Sequence, residues 1–134
     1  MGRSRSAPLL LHQLRLPFEL VRVDIERGET RTPDFLRRNP NGRIPLLELE
    51  DGRCLAESNA IQWYLAEGTE LLPAERFARA EVLQWMFFEQ YSHEPYIATA
   101  RFILRHLPPG HERHAEVTMR RARGPPGVTC DRGP

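Results

Sequence analysis

The sequence predicts a mixed α/β domain followed by an all-helical segment, and three observations carry that prediction. Residues 18–25 alternate, with Val21, Val23 and Ile25 apolar and Arg22 and Asp24 charged, which is the period of a half-buried strand. Asp51-Gly52 stands between two further apolar runs, residues 44–50 and 53–56, and Asp-Gly is a strong hairpin signal. From Pro73 onward Phe77, Ala80, Leu83, Phe87 and Tyr91 recur at three- and four-residue steps, the spacing of a helix face.

The remaining elements follow in chain order. Residues 9–16 read as the end of a helix stopped by Pro17. Arg27-Gly28-Glu29 is a turn. Thr32 is a helix cap, Pro33 occupies the first helical position, and Asp34 suits the positive end of the helix dipole. That helix ends by Asn39, because a residue before proline avoids helical geometry. A type I′ turn at Asp51-Gly52 would place both residues at positive φ. Ser58 is expected to cap a helix running through Ile61, Tyr64 and Leu65, with Gly68 ending it. Pro95 should kink or restart the long helical stretch, which continues through Ile97, Ala100, Leu104 and Leu107.

With 134 residues the chain suits one domain with a core of its own rather than two of average size. A net charge of +1 gives no global reason to expect nucleic acid or an anionic membrane as partner. No apolar run nears the ~20 residues that cross a bilayer, and residues 9–11 are too short for the core of a secretory signal. Two cysteines, Cys54 and Cys130, make no metal or redox spacing, so a reducing, cytoplasmic setting is expected. Every basic side chain apart from histidine is Arg, as in a GC-rich coding sequence.

The candidate chemistry lies in residues 39–58. A helix opening at Ser58 directs free N–H groups outward, where they favour a carboxylate. Glu57, just before it, could take an ammonium group. An amino-acid head group carries both charges on one carbon, so the pair fits it. By itself Ser58 reads as a cap and nothing more; the residues before it favour the binding role. Ile44-Pro45 by itself reads as trans, at an edge strand. Arg43 and Asn39 flank it; Arg43 fits a carboxylate partner and a solvated loop residue equally well.

These motifs resemble the cytosolic glutathione transferases. Asn39-Pro40-Asn41-Gly42-Arg43-Ile44-Pro45 looks like that family's loop before a cis-proline strand. Glu57-Ser58-Asn59-Ala60-Ile61 looks like its γ-glutamyl motif, and Leu71-Leu72-Pro73 like its interdomain linker. The resemblance covers roughly residues 9–107. It implies a thioredoxin-like fold, a cis Ile44-Pro45 bond, and glutathione as ligand and co-substrate. Glu57 and Ser58 would meet the γ-glutamyl end, the Ile44 backbone (with Pro45) the cysteinyl unit, and Arg43 the glycyl carboxylate. The implied activity is transfer of the glutathione thiol to an electrophilic substrate, as in detoxification. The implied partners are those two small molecules, with a homodimer at the exposed parts of Trp63 and Phe77. A non-catalytic glutathione-binding or interaction fragment is the alternative.

The chain departs from the family at both ends. The family opens with a strand and a loop bearing a catalytic Tyr, Ser or Cys that favours the thiolate of glutathione. Here residues 1–8 show no strand pattern, and Ser4 and Ser6 are the hydroxyls nearest the required place. The expected organisation is an irregular start at 1–8, a thioredoxin-like domain lacking its first strand at 9–70, the beginning of a helical domain at 71–107, and a loose Pro/Gly/Arg-rich tail at 108–134. Both ends have the composition of a GC-rich gene read out of frame, so the chain is expected to be a truncated or frame-shifted piece of a longer transferase.

Other signals favour bland readings. His111 and His114 lack further ligands, so no metal is expected. His93 beside Pro95 reads as a turn residue. Trp63, Trp85, Phe87 and Phe88 read as packing between helices. The basic run at residues 120–123 lacks interleaved aromatics, which argues against nucleic acid.

Overall fold

The computed structural model describes residues 6–123, with side chains described to Arg120. It divides into two compact units, up to Pro73 and from Ala74 on.

In the first unit, α1 (Ser6–Gln13) buries Ala7 and Leu11 and packs on α3 (Ser58–Ala66), whose Ile61 is wholly buried. Helix α1 ends before Pro17. Arg15 takes φ 55°, the Leu16 N–H bonds the Leu11 carbonyl at 3.0 Å, and the Arg15 N–H bonds the His12 carbonyl at 3.1 Å. This is a Schellman ending, with Arg at the position glycine usually takes. Helix α2 (Pro33–Arg38) opens as its sequence dictates: the Thr32 hydroxyl accepts from the Phe35 N–H at 3.3 Å, and Pro33 is the first helical residue. Arg38 pairs with Asp34 at 2.8 Å and with Glu48 at 3.1 Å, so it joins α2 to the hairpin. Those bonds, Glu48 foremost, hold its guanidinium pKa above the ordinary value.

The hairpin is β1 (Leu46–Glu48) against β2 (Cys54–Ala56), antiparallel, with Leu46 opposite Ala56, Leu47 opposite Leu55 and Glu48 opposite Cys54. Its turn differs from the type I′ expectation. Gly52 has φ 84° but Asp51 is not at positive φ. The Gly52 N–H bonds the Leu49 carbonyl, and the Leu49 N–H bonds the Arg53 carbonyl, both at 2.9 Å. The loop therefore has three residues, a type I turn closed by a left-handed glycine, and only one positive φ is needed.

The strand expected at residues 18–25 is not formed. That stretch has no regular structure, and Leu20 and Val21 are 62% and 70% exposed. Alternation makes a strand only where a neighbouring strand accepts its hydrogen bonds. Among the described residues the sheet contains β1 and β2 alone.

In the second unit, α4 (Arg76–Phe88) is capped by Glu75, whose carboxylate accepts from the Phe77 and Ala78 N–H groups, each at 2.8 Å. These bonds lower its pKa. The aromatic residues expected to pack between helices do not all do so: Trp85, Phe87 and Phe88 are exposed, paired on their own helix surface with one another and with Tyr91. Pro95 does not break the helix. The chain passes through a π-helical segment (Glu89–Ala98) and continues as α5 (Thr99–His106). A wider turn accommodates a residue with no N–H to donate.

The loose tail expected from residue 108 is in part ordered. A turn at Pro108–His111, with Gly110 at φ 86°, leads into α6 (His114–Arg123). Val117 of α6 joins Ala100 and Ile103 of α5 in the unit's core. Composition misled here because one buried valine, with the Arg120 guanidinium donating to the Pro95 carbonyl at 2.6 Å, docks a short helix, and Arg113 and Arg120 both bind Glu116 (2.9 and 3.2 Å) along it. The tail beyond residue 123 lies outside the described residues.

Glu116 is held below the usual carboxylate range, first by the Arg113 hydrogen bond and then by Arg120. A depressed carboxyl contributes stability above its unfolded pKa, ~4.3, and loses it as pH falls through the folded value. Glu116→Gln is therefore expected to be less stable than the parent at pH 7 and equal to it at pH 2. Urea unfolding followed by circular dichroism at both values checks this.

Candidate functional site

The two sequence motifs meet at one end of the hairpin. Leu46 opposite Ala56 is the last pair of the ladder, so Pro45 before the one and Glu57 after the other leave the hairpin at the same end. The Ile44-Pro45 bond is cis. The ladder stops at Leu46, and among the described residues neither the N–H nor the C=O of Ile44 has a backbone partner.

The loop before the proline is built around Asn39, which is 4% exposed. Its side chain donates to the Arg43 carbonyl at 2.7 Å and accepts from the Asn41 N–H at 3.1 Å. Its own N–H bonds the Phe35 carbonyl at 2.8 Å, and its carbonyl accepts from the Gly42 N–H at 2.9 Å. Arg31, in a 3₁₀ turn (Glu29–Arg31), donates to the Asn41 carbonyl at 3.3 Å. Gly42 sits at φ 61° so close to the Thr30 carbonyl that a Cβ there would lie 2.9 Å from it.

On the other side, Glu57 has φ 70° and ψ 120°, a conformation few non-glycine residues adopt. It is the N-cap of α3, and Ser58 is the first helical residue. The expected capping role for Ser58 is thus corrected: the strained Glu57 backbone makes the turn into the helix. Glu57 makes no side-chain cap bond, so its carboxylate is directed elsewhere. The Asn41 amide approaches it at 3.5 Å and joins the loop to the helix mouth.

Pro45 and Glu57 thus adjoin the last pair of the hairpin, with Ile44 and Ser58 next to them in the chain. Arg43 is exposed in the same loop, tied there through its carbonyl. Of the two expected catalytic hydroxyls, Ser4 lies outside the described residues and Ser6 opens α1, within a helix rather than a strand-to-helix loop. Among the described residues no cluster of three metal-ligating side chains occurs. Sequence reasoning underrated Asn39 and missed Asn41. The signal was present in the turn-forming Asn-Pro and Asn-Gly pairs, where an Asn side chain bonds a backbone N–H two residues on.

A two-stranded sheet under helices, with a proline loop facing a helix mouth, is the frame of a thioredoxin-like binding domain. The family pattern of the glutathione S-transferase N-terminal domain matches residues 1–67. This chain belongs to the glutathione S-transferase family. It is 54% identical to a solved glutathione S-transferase from Pseudomonas fluorescens Pf-5, with a TM-score of 0.81, covering 90% of this chain and 62% of that one. A second protein from that organism, a glutathione transferase family member solved with two glutathione bound, is 30% identical (TM-score 0.71), covering 86% of this chain and 53% of that one. Glutathione S-transferase 3 of maize is 41% identical over 91 residues, which are 64% of this chain and 40% of the maize protein. The chain thus spans 62% of the length of the first of these relatives and 53% and 40% of the other two.

Two substitutions test the backbone reading. Gly42→Ala must adopt a left-handed φ and press on the buried Thr30 carbonyl, so a loss of about 1–3 kcal/mol is expected. Glu57→Gly relieves strain of about 1–3 kcal/mol against an entropy cost of about 0.5–1, so its stability is expected to match or exceed the parent's. Equilibrium denaturation of both variants measures each.

Proposed function

We propose that this chain is a glutathione transferase that binds glutathione and passes its thiol to a small electrophilic substrate. The observation that carries the reading is the meeting of the proline loop and the α3 mouth at one hairpin end. In this reading the Glu57 carboxylate holds the α-ammonium of the γ-glutamyl unit. The N–H groups at the start of α3, with Ser58, hold its α-carboxylate. The unpaired Ile44 backbone, beside Pro45, bonds the cysteinyl unit as a neighbouring strand would. Arg43 meets the glycyl carboxylate. The bound thiol loses its proton to solvent. The thiolate attacks the electrophilic carbon, a C–S bond forms, and the leaving group departs with its electron pair.

A cytoplasmic setting belongs to the same reading, since glutathione is kept as the thiol there and Cys54 is a free cysteine. Among the described residues no helix is long and apolar enough to cross a membrane. A homodimer is part of the proposal as well, with exposed Phe77 and half-buried Trp63 at hand for it.

A second reading, a glutathione binder without turnover, is favoured by the position of Ser6 inside α1. Retention on immobilised glutathione, paired with turnover of a chromogenic aromatic halide, separates the two. Retention with turnover is expected. Retention alone supports the binder, and no retention overturns both. Glu57→Gln is expected to weaken glutathione about ten- to a hundredfold, the worth of a charged hydrogen bond.

A further inference from the structure

Glu57 is exposed, and an exposed carboxylate samples several rotamers. A side chain that must meet an ammonium in one geometry pays that entropy on binding unless something holds it beforehand. The structure contains such a holder. Asn41 directs its amide Nδ2 at Glu57 Oε1, 3.5 Å away, and this bond crosses between the proline loop and the helix mouth. The approach is long for a hydrogen bond, yet both ends of it are fixed by other means. The Asn41 backbone is pinned on two sides, its N–H to Asn39 Oδ1 and its carbonyl to the Arg31 guanidinium. The Glu57 backbone is fixed by its left-handed turn and by the Ile61 N–H, which bonds the Glu57 carbonyl at 2.9 Å.

We propose that Asn41 is a positioning residue: it fixes the Glu57 carboxylate through Oε1 and leaves Oε2 for the ligand's ammonium. The inference rests on the glutathione reading above and adds a specificity element to it. Asn41 donates an uncharged N–H, so it orients Glu57 without neutralising it. An Arg or Lys in its place would hold the carboxylate but compete with the ammonium for its charge. Asn41 therefore serves selection for a free α-amino group and not general affinity for the tripeptide. None of the loop's bonds uses the Asn41 side chain except this one, so replacing the side chain leaves the loop's frame intact.

Calorimetric titration of the whole chain with glutathione, and with its analogue lacking the α-amino group, tests this. Asn41→Leu is expected to weaken glutathione about three- to tenfold, the effect of freeing one immobilised side chain, and to leave the analogue's affinity unchanged. Combined with Glu57→Gln it is expected to add nothing to the loss from Glu57→Gln alone. Equal weakening of both ligands, additive losses, or no change in glutathione affinity would each overturn the assignment. Asn41→Ser, too short to reach Glu57, carries the same expectations if the leucine variant is poorly folded; thermal unfolding reports that. Parent protein that binds glutathione while Asn41→Leu binds it equally well sinks this inference alone. Parent protein that binds no glutathione sinks the underlying reading with it.

Discussion

The side chain of Asn39 is buried and uses both of its ends at once, donating to the Arg43 carbonyl and accepting from the Asn41 N–H. An amide buried this way is costly unless satisfied, and here it is satisfied only if residues 39–43 take one path. That path brings Gly42 against Thr30, presents the Arg43 side chain to solvent, and delivers the chain to Ile44-Pro45 at the head of β1. The hairpin register then leaves little freedom, because Ala56 opposite Leu46 forces Glu57 and Ser58 to the same end. One buried amide thus connects a five-residue loop to the mouth of α3.

The other side of the site has a different physical origin. Glu57 turns the chain from strand to helix in a conformation that glycine would adopt more easily. Non-glycine residues persist in such positions when their surroundings over-determine them. Here the Leu46–Ala56 pair holds one flank and the buried Ile61 the other. A carboxylate at that corner, with Asn41 beside it, is what a glycine would forfeit.

Elements specified by local chemistry were legible in the sequence. Thr32-Pro33-Asp34 starts a helix by capping, and the structure shows the cap bond. Gly68 lies just past α3 at φ 74°. The hairpin was placed correctly, though its turn was not: Asp-Gly serves a three-residue loop as readily as a two-residue one, and the bonds that Leu49 makes to Gly52 and Arg53 distinguish them. Elements that depend on a partner were less legible. The alternation at residues 18–25 states what a strand would look like but cannot supply the neighbour that makes it one. Helix α6 was hidden by its Arg and His content, because composition does not reveal that Val117 meets Ala100 and Ile103. In the candidate site, Ile44, Pro45, Glu57 and Ser58 were singled out as motif residues. Asn39 was named only as a flank of the Ile44-Pro45 bond, although its bonds to Asn41 and Arg43 are local, whereas the bond from Asn41 to Glu57 joins residues sixteen apart and leaves no sequence signal.

Titration of ¹⁵N-labelled chain with glutathione, read from backbone amide shifts, shows whether the proline loop and the mouth of α3 jointly hold the tripeptide. Saturable changes concentrated at Arg43, Ile44, Glu57 and Ser58 are expected. Changes centred elsewhere in the chain, or a spectrum indifferent to glutathione, would contradict such joint binding.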